Sequence, residues 1–283
     1  MGVTDHNRGL FAFAVATAAV ALVLILAGGF VTTTATGDTI PTWPLAWGRL
    51  IPPSFQGGIV VEWSHRVIAG VVALMVLTLA VWSRRRLASV ALAGVLVQAA
   101  IGGVRIYLPK AAVAIVHACF AQVVFCALVA LALTLSRTWR EAAPDEDAAR
   151  ARRLGLVTVA LIFLQLVAGA VTRHTGAGLA VHLVGALIVL LHVSVFASRL
   201  AATSLKRLGL GLMALIAVQL VLGLSAWSFR GTYVRSHEAN PAIILTVSAH
   251  VAIGALMMAM TLVATLRCFR FRVAEPRLAA VTA

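Results

Sequence analysis

The sequence is short of charged residues and of cysteine. Charged residues make up 11% of its 283 residues, whereas a soluble protein would carry about 25%. Hydrophobic residues reach 61%, and the mean hydropathy is +1.01. This composition excludes a soluble globular protein and predicts a polytopic membrane protein whose surroundings are a lipid bilayer.

Only three cysteines occur in the chain. Cys119 and Cys126 lie within one apolar stretch, and Cys268 lies at the end of the last stretch. None of them falls in a connection that we expect outside the membrane, so no structural disulfide is expected on that side.

Eight apolar stretches follow one another, and each is close to the ~20 residues that a helix needs to cross the ~30 Å hydrocarbon core. They cover residues 10–31, 59–82, 87–108, 112–135, 154–171, 178–198, 208–229 and 242–266. The first has no small-residue cleavage site, so we expect a retained helix and not a signal peptide. The predicted fold class is an all-α polytopic membrane protein with eight transmembrane helices.

The net charge of +14 does not indicate a nucleic-acid partner, because the basic residues concentrate in alternate connections. If the N-terminus is cytoplasmic, sixteen lysines and arginines lie in inside segments and six lie in outside segments. This excess is the positive-inside pattern. It predicts cytoplasmic termini and an external first loop.

The longest inside connection, residues 136–153, is charged and poor in apolar residues. It predicts three parts of the chain: an N-terminal half at 1–140, a cytoplasmic linker at 141–153 and a C-terminal half at 154–283. Each half holds four of the apolar stretches, which favours a duplicated membrane architecture.

A Gln-x-x-x-Gly pattern recurs in the third, fifth and seventh stretches. Its members are Gln98–Gly102, Gln165–Gly169 and Gln219–Gly223, while the first stretch has Gly28 and Gly29 without the glutamine. We interpret the pattern as close helix packing with an amide that bonds between helices; direct contact with a cofactor is the alternative. The repeat predicts two pseudo-symmetric four-helix bundles.

Four histidines occupy matching positions in the even-numbered stretches. His65, His117, His182 and His250 lie 6, 5, 4 and 8 residues after the predicted helix starts, which is roughly 6–12 Å along each helix. Intramembrane ionisable residues are functional candidates because they are costly in hydrocarbon. One such histidine is most simply a hydrogen-bonded core residue, but four at equivalent positions predict two pairs of axial haem ligands. No carboxylate or thiolate cluster accompanies them, which disfavours zinc.

The other histidines do not share this position. His192 lies ten residues beyond His182, His174 and His237 fall in predicted external loops, and His6 is in the N-terminal tail. We expect none of them to bind iron, and the two loop histidines are candidates for contacts with haem propionates.

One half carries additional charged groups beside its histidine. Glu62 is three residues before His65, on the same helix face, and Arg66 follows His65 and points elsewhere. The simplest interpretation is a polar helix entrance near the membrane interface. The functional interpretation is a reactive centre in the N-terminal half, where Glu62 handles a proton and Arg66 meets an anionic propionate, beside a plain electron-transfer haem in the C-terminal half.

With these features the chain resembles the haem A synthase family over essentially its whole length. The matching features are the eight spans in two halves, the Glu62-x-x-His65-Arg66 motif, the histidines at 117, 182 and 250, and two first-loop segments, Thr42-Trp43-Pro44-Leu45 and Gly48-Arg49-Leu50-Ile51-Pro52-Pro53.

The resemblance implies an oxidoreductase that converts the ring methyl group of haem O, a farnesylated haem, into the formyl group of haem A for cytochrome oxidase. It implies successive hydroxylations with loss of water from a gem-diol. Position by position, it assigns His65 and His117 to the substrate haem, His182 and His250 to a haem B cofactor, and Glu62 to proton transfer or charge stabilisation.

The location we expect is a bacterial inner membrane, and the charge count places the four histidines, and so the haem sites, toward the outer face. Haem O synthase is a candidate partner, the electron donor is unknown, and homo-oligomerisation stays open. Many family members carry a cysteine pair in an external loop. Residues 32–58 and 172–177 have none, which puts a thiol relay on that face in doubt.

Two other classes of function are weighed against this one. A di-haem bis-histidine cytochrome would only move electrons, for example from quinol, and has no use for a carboxylate beside His65. A transporter built on repeats is disfavoured, because the spans have no helix breaks and do not contain several buried charges.

Overall fold

The computed structural model of the chain describes residues 3–108, 110–236 and 240–271. Within these ranges the chain forms ten α-helices and no strand. They are α1 Val3–Thr33, α2 Gly58–Ser83, α3 Arg86–Tyr107, α4 Ala111–Leu135, α5 Arg137–Arg140, α6 Glu146–Arg150, α7 Arg152–Thr175, α8 Leu179–Ala201, α9 Lys206–Ser236 and α10 Pro241–Arg270. Eight of these helices are long and apolar enough to cross a membrane, and each lies on one predicted stretch. The all-α polytopic fold is confirmed.

The end of α7 differs from the prediction. The helix continues to Thr175 and ends at Gly176, which adopts a left-handed conformation with φ 72° and donates its N–H to the Thr172 carbonyl. His174 therefore lies in the last turn of a helix, and its predicted position in a loop is wrong. His237 lies outside the described residues.

Two short helices in the connection between the halves were not predicted. Ser136 accepts the N–H of Trp139 at 3.1 Å to start α5, and Asp145 accepts the N–H of Ala148 at 2.9 Å to start α6. The second carboxylate oxygen of Asp145 accepts the N–H of Ser204 at 2.8 Å. Burial acts to raise the pKa of the Asp145 carboxyl, but these donors stabilise its charge and bring the pKa below its usual value. The linker is thus tied to the turn between α8 and α9.

The helix contacts trace two closed groups of four. In the N-terminal bundle, α1 packs on α2, α2 on α3, α3 on α4, and α4 on α1; in the C-terminal bundle, α7, α8, α9 and α10 close in the same way. The bundles meet where α1 and α4 pack on α10 and where α4 packs on α7. A symmetry axis between the bundles, and the division into 1–140 and 154–283 as domains, stay predictions.

Burial follows from this arrangement. In α4 and α10, 56% and 39% of the most apolar window is buried inside the protein, against 17–22% in the other six spans. The exposed sides of those six carry large apolar residues such as Leu74, Leu187 and Leu191. Since lipid is as apolar as these side chains, the exposed faces are compatible with a bilayer.

Close contacts between small residues hold the two bundles together at one end. A Cβ on Gly29 of α1 would lie 3.0 Å from Cβ of Ser248 in α10. At the end of α7, Arg173 donates to the carbonyl of Gly29 at 2.8 Å and to the hydroxyl of Thr33 at 2.5 Å. We call this end of the molecule, which also carries residues 34–57, the loop face, and the opposite end, with residues 136–151, the linker face.

Candidate functional site

Each of the four predicted ligand histidines packs against a glycine of the preceding membrane helix. The distances from the imidazole Cε1 to the place a glycine Cβ would occupy are 3.3 Å for His65 on Gly28, 3.1 Å for His117 on Gly102, 3.0 Å for His182 on Gly169 and 3.0 Å for His250 on Gly223. Protein interiors are close-packed, so a side chain here would displace the ring. The glycine of the repeated pattern therefore makes room for an imidazole.

The glutamine of the pattern reaches the same histidine. Nε2 of Gln98 donates to the backbone carbonyl of His117 at 3.0 Å, Nε2 of Gln165 to that of His182 at 2.8 Å, and Nε2 of Gln219 lies 3.4 Å from Nε2 of His250. These contacts confirm the predicted amide bonding between helices. In α1 the corresponding position is Leu24, so no glutamine of this pattern supports His65.

The imidazoles of His182 and His250 face each other across the C-terminal bundle. Their ring centroids are 6.4 Å apart and their planes are inclined at 80°. Two metal–nitrogen bonds of about 2 Å, with about 1 Å from each nitrogen to its ring centroid, add up to about 6 Å. Gln165 contacts Nδ1 of His182 at 3.0 Å, which leaves Nε2 of that ring for a metal. The spacing fits one iron held between two imidazoles.

The other three histidines each keep a nitrogen without a partner. Nδ1 of His65, His117 and His250 is buried and has no hydrogen bond to any described residue. A buried polar atom left unpaired is costly, so these atoms fit a site whose ligand supplies the missing interaction. The described residues contain no group of three or more histidine, cysteine, aspartate or glutamate side chains that could hold a metal. Paired imidazoles without such a group fit haem, whose iron needs only axial ligands from the protein.

Glu62 is buried, with 3% of its surface exposed, and it holds the first loop against the N-terminal bundle. Its Oε2 accepts the hydroxyl of Thr39 and the N–H of Ile40, both at 2.9 Å. Its Oε1 accepts the guanidinium of Arg66 at 2.5 Å. The carboxylate therefore has a structural partner on each oxygen, and its predicted proton-handling role stays a prediction.

Arg66 points into the same loop. Besides Glu62, its guanidinium donates to the carbonyl of Thr42 at 2.6 Å and to that of Ile40 at 3.0 Å. Three protein acceptors thus compete with the predicted propionate contact of Arg66, which also stays a prediction.

Aromatic residues complete the attachment of the loop. The indole N–H of Trp63 donates to the carbonyl of Leu50 at 3.0 Å, and the ring of Trp63 meets that of Phe55 edge-on at 5.2 Å. The ring of Trp43 lies on Gly103 of α3, where a Cβ would be 2.7 Å away. The loop segments that carry the family resemblance are therefore fastened to α2 and α3, beside His65 and His117.

One residue near this site, Arg105, is not singled out by the sequence, which counts it only as an outside charge. A signal for Arg105 is present, because Gln98, Gly102 and Arg105 follow at i, i+4 and i+7, the spacing of one helix face. His192 has a buried Nδ1 with no partner among the described residues. It forms no ring contact or hydrogen bond with any of the four predicted ligand histidines in the described part of the chain.

The glycine contacts can be tested at the C-terminal pair. Gly169→Ala places a methyl group 3.0 Å from Cε1 of His182. Overpacking of this kind costs about 1–3 kcal/mol, so haem should bind roughly fivefold to hundredfold more weakly. The measurement is haem content per protein with the low-spin absorption spectrum. Gly70→Ala, where a Cβ meets nothing within 4 Å, is the control; equal haem retention in both variants would contradict the assignment.

Comparison with known proteins gives an independent result. Residues 54–184 match the family model described as cytochrome oxidase assembly protein. The haem A synthase of Exiguobacterium sp. strain AT1b is 33% identical over 183 residues, 61% of this chain and 60% of the relative. That of Lysinibacillus sphaericus is 29% identical over 189 residues, 62% of this chain and 61% of the relative.

A third relative aligns over fewer residues but with a higher sequence identity. The haem A synthase of Shouchella clausii is 39% identical over 82 residues, 29% of this chain and 27% of the relative. The chain therefore matches about 60% of the length of the more extensively aligned relatives. The matched residues 54–184 contain the Glu62-x-x-His65-Arg66 motif, His117 and His182. These matches confirm the predicted resemblance to the haem A synthase family.

Proposed function

We propose that this protein acts in haem A biosynthesis as an oxidoreductase that converts the ring methyl group of haem O into a formyl group. The observation that carries the proposal is the pair of imidazoles, His182 and His250, at the spacing of a bis-histidine haem, together with a second histidine pair in a matched setting of glycines. The relatives named haem A synthase support the same reaction.

The two histidine pairs take different roles in this proposal. His182 and His250 would hold a resident haem B, which would relay electrons from a separate donor. His65 and His117 hold the substrate haem O in the N-terminal bundle. This division is supported by the charged groups, because Glu62 and Arg66 lie beside His65 and no carboxylate lies in the sequence windows around His117, His182 and His250.

Glu62 and Arg66 act on the substrate side in two ways. Their ion pair, with 5% and 16% of the side chains exposed, holds the first loop over the N-terminal bundle and so helps exclude water. Glu62, on the same helix face as His65, is the group that takes or stabilises a proton near the reacting methyl group.

The distribution of basic residues supports the orientation of the protein. The linker face is the arginine-rich face and is cytoplasmic, as are both termini, in a bacterial inner membrane. The loop face, with both histidine pairs near it, is external. The three cysteines are free and none lies in residues 32–58 or 172–177, so the proposal includes no thiol relay in those loops.

The proposed reaction has a direct test. Cells that make haem O are grown with and without this protein, and their extracted haems are separated by chromatography and mass. We expect haem A only when the protein is present. If haem O accumulates unchanged while the purified protein carries haem, the chain is a di-haem cytochrome and the proposal is wrong.

The C-terminal ligands are tested by substitution. His182→Ala and His250→Ala should each abolish the low-spin spectrum of the resident haem, because one imidazole alone leaves the iron without a strong sixth ligand. His192→Ala, on the same helix as His182, is the control and should keep the spectrum. Full haem content in both His182→Ala and His250→Ala would contradict the assignment of these two histidines as ligands of the resident haem.

The role of Glu62 is tested together with its partner. Glu62→Gln and Arg66→Gln should each leave the resident haem in place but lose haem A formation. Breaking a buried ion pair costs about 3–5 kcal/mol, so protease cleavage within residues 34–57 should rise by at least about tenfold. The protease should cleave the double variant no faster than either single variant, because the double variant leaves no unpaired charge.

The exposed pair of Arg137 and Glu141, with 78% and 60% of the side chains exposed, supplies the control for that experiment. Glu141→Gln should change neither cleavage nor haem A formation, because surface ion pairs contribute little. Haem A formation at the wild-type level by Glu62→Gln would remove Glu62 from the mechanism.

A further inference from the structure

One cation, Arg105, lies near the N-terminal histidine pair. Arg105 is in the last turn of α3, and its side chain is half-buried. No described residue accepts a hydrogen bond from its guanidinium or pairs with it as a salt bridge, whereas Arg66 has three such partners. A partly buried guanidinium with five unused N–H donors is costly unless something binds to it.

The position of Arg105 is set by the site itself. Gln98, Gly102 and Arg105 share one face of α3, and this face meets His117 through Gln98 and Gly102. Arg105 therefore stands one turn closer to the loop face than the glycine on which the His117 ring rests. It is also within electrostatic range of His65, His117 and His174.

The guanidinium packs against the first loop. A Cβ on Gly37 would lie 2.8 Å from an Nη atom of Arg105 and 3.2 Å from its Cζ. The backbone at Gly37 therefore covers one side of the guanidinium closely. The loop is itself fastened by Glu62 and Arg66, so Arg105 lies where the first loop meets the rim of the N-terminal site.

Nearby carboxylates leave the positive charge unmatched. Glu62 and Asp38 both interact with Arg105 at longer range. Glu62 already accepts hydrogen bonds from Thr39, Ile40 and Arg66. Asp38 is exposed and forms no salt bridge with Arg105. None of the described residues takes up the N–H donors of Arg105, so these donors can bind an anion.

We propose that Arg105 binds a carboxylate of the porphyrin substrate, a propionate group, at the loop-face rim of the N-terminal site. The inference rests on the proposed function, because it needs a porphyrin between His65 and His117. Guanidinium binds carboxylate through paired hydrogen bonds of fixed geometry. Binding to Arg105 orients the porphyrin with its propionate edge toward the loop face. Arg105 then makes the propionate contact that was predicted for Arg66, whose guanidinium already bonds to three protein acceptors.

The test compares a porphyrin with and without its carboxylates. The full-length protein, purified with its resident haem, is titrated with iron protoporphyrin IX and with the dimethyl ester of the same compound, and binding at the second site is followed by difference absorption. The wild type should bind the diacid at least about tenfold more tightly. Arg105→Gln should remove most of this preference by weakening the diacid alone, and Arg105→Lys should keep part of it.

Arg49→Gln is the matched control. Arg49 is an exposed arginine of the first loop, so its loss changes the charge of the same face without touching the rim. It should leave both dissociation constants unchanged. The resident low-spin spectrum and the melting temperature report whether each variant is folded.

Several outcomes overturn the inference. If Arg105→Gln weakens the binding of the diacid and of the diester by the same factor, the variant has lost structure and not a carboxylate contact. If Arg105→Gln binds the diacid as tightly as the wild type does, the contact does not exist. If Arg105→Gln does not fold, a wild type without preference for the diacid overturns the inference instead.

The failure of this inference is separable from that of the proposed function. Haem A formation by the wild type without any acid-over-ester preference rejects Arg105 alone. Absence of haem A from cells with the wild-type protein rejects the oxidation of haem O, whatever the binding preference.

Discussion

The packing of an imidazole on a bare glycine between neighbouring membrane helices is the contact on which the rest of this protein depends. A polar ring in a bilayer has no water to satisfy it, so it needs space, a fixed orientation and a partner. The glycine supplies the space, with Cβ positions 3.0–3.3 Å from the rings. In three of four places a glutamine one turn earlier supplies the orientation. What remains is a nitrogen free to bind a metal.

The exception to this arrangement is informative. His65 lies on Gly28 but has no glutamine, because α1 carries Leu24 there. Its helix instead carries Glu62 and Arg66, which are engaged with the first loop and not with a neighbouring helix. The N-terminal bundle, in which His65 has no glutamine partner, is therefore the bundle to which the first loop is bonded. Under the proposed function this difference separates a resident cofactor site, which needs rigid ligands, from a substrate site, which must admit and release its occupant.

The loop and the cations near it form one system. Glu62 and Arg66 hold the loop, the loop backbone at Gly37 covers the guanidinium of Arg105, and Arg105 stands beside the His117 face. At the junction of the bundles, Arg173 bonds to Gly29 and Thr33. In the proposed orientation few arginines lie on the external side, and Arg66, Arg105 and Arg173 each have a defined contact there.

The sequence by itself determined the eight spans and the four histidine positions, because hydrophobic length and helical spacing are local properties of the chain. It also marked glycine and glutamine as packing residues. Only the tertiary structure decided which glycine meets which histidine, that His174 lies in a helix, and that Arg66 bonds to the loop while Arg105 forms no salt bridge with any described residue. Those facts depend on the distances between α1, α2, α3 and the loop. Such distances are set by packing between residues far apart in the sequence, which no local pattern encodes.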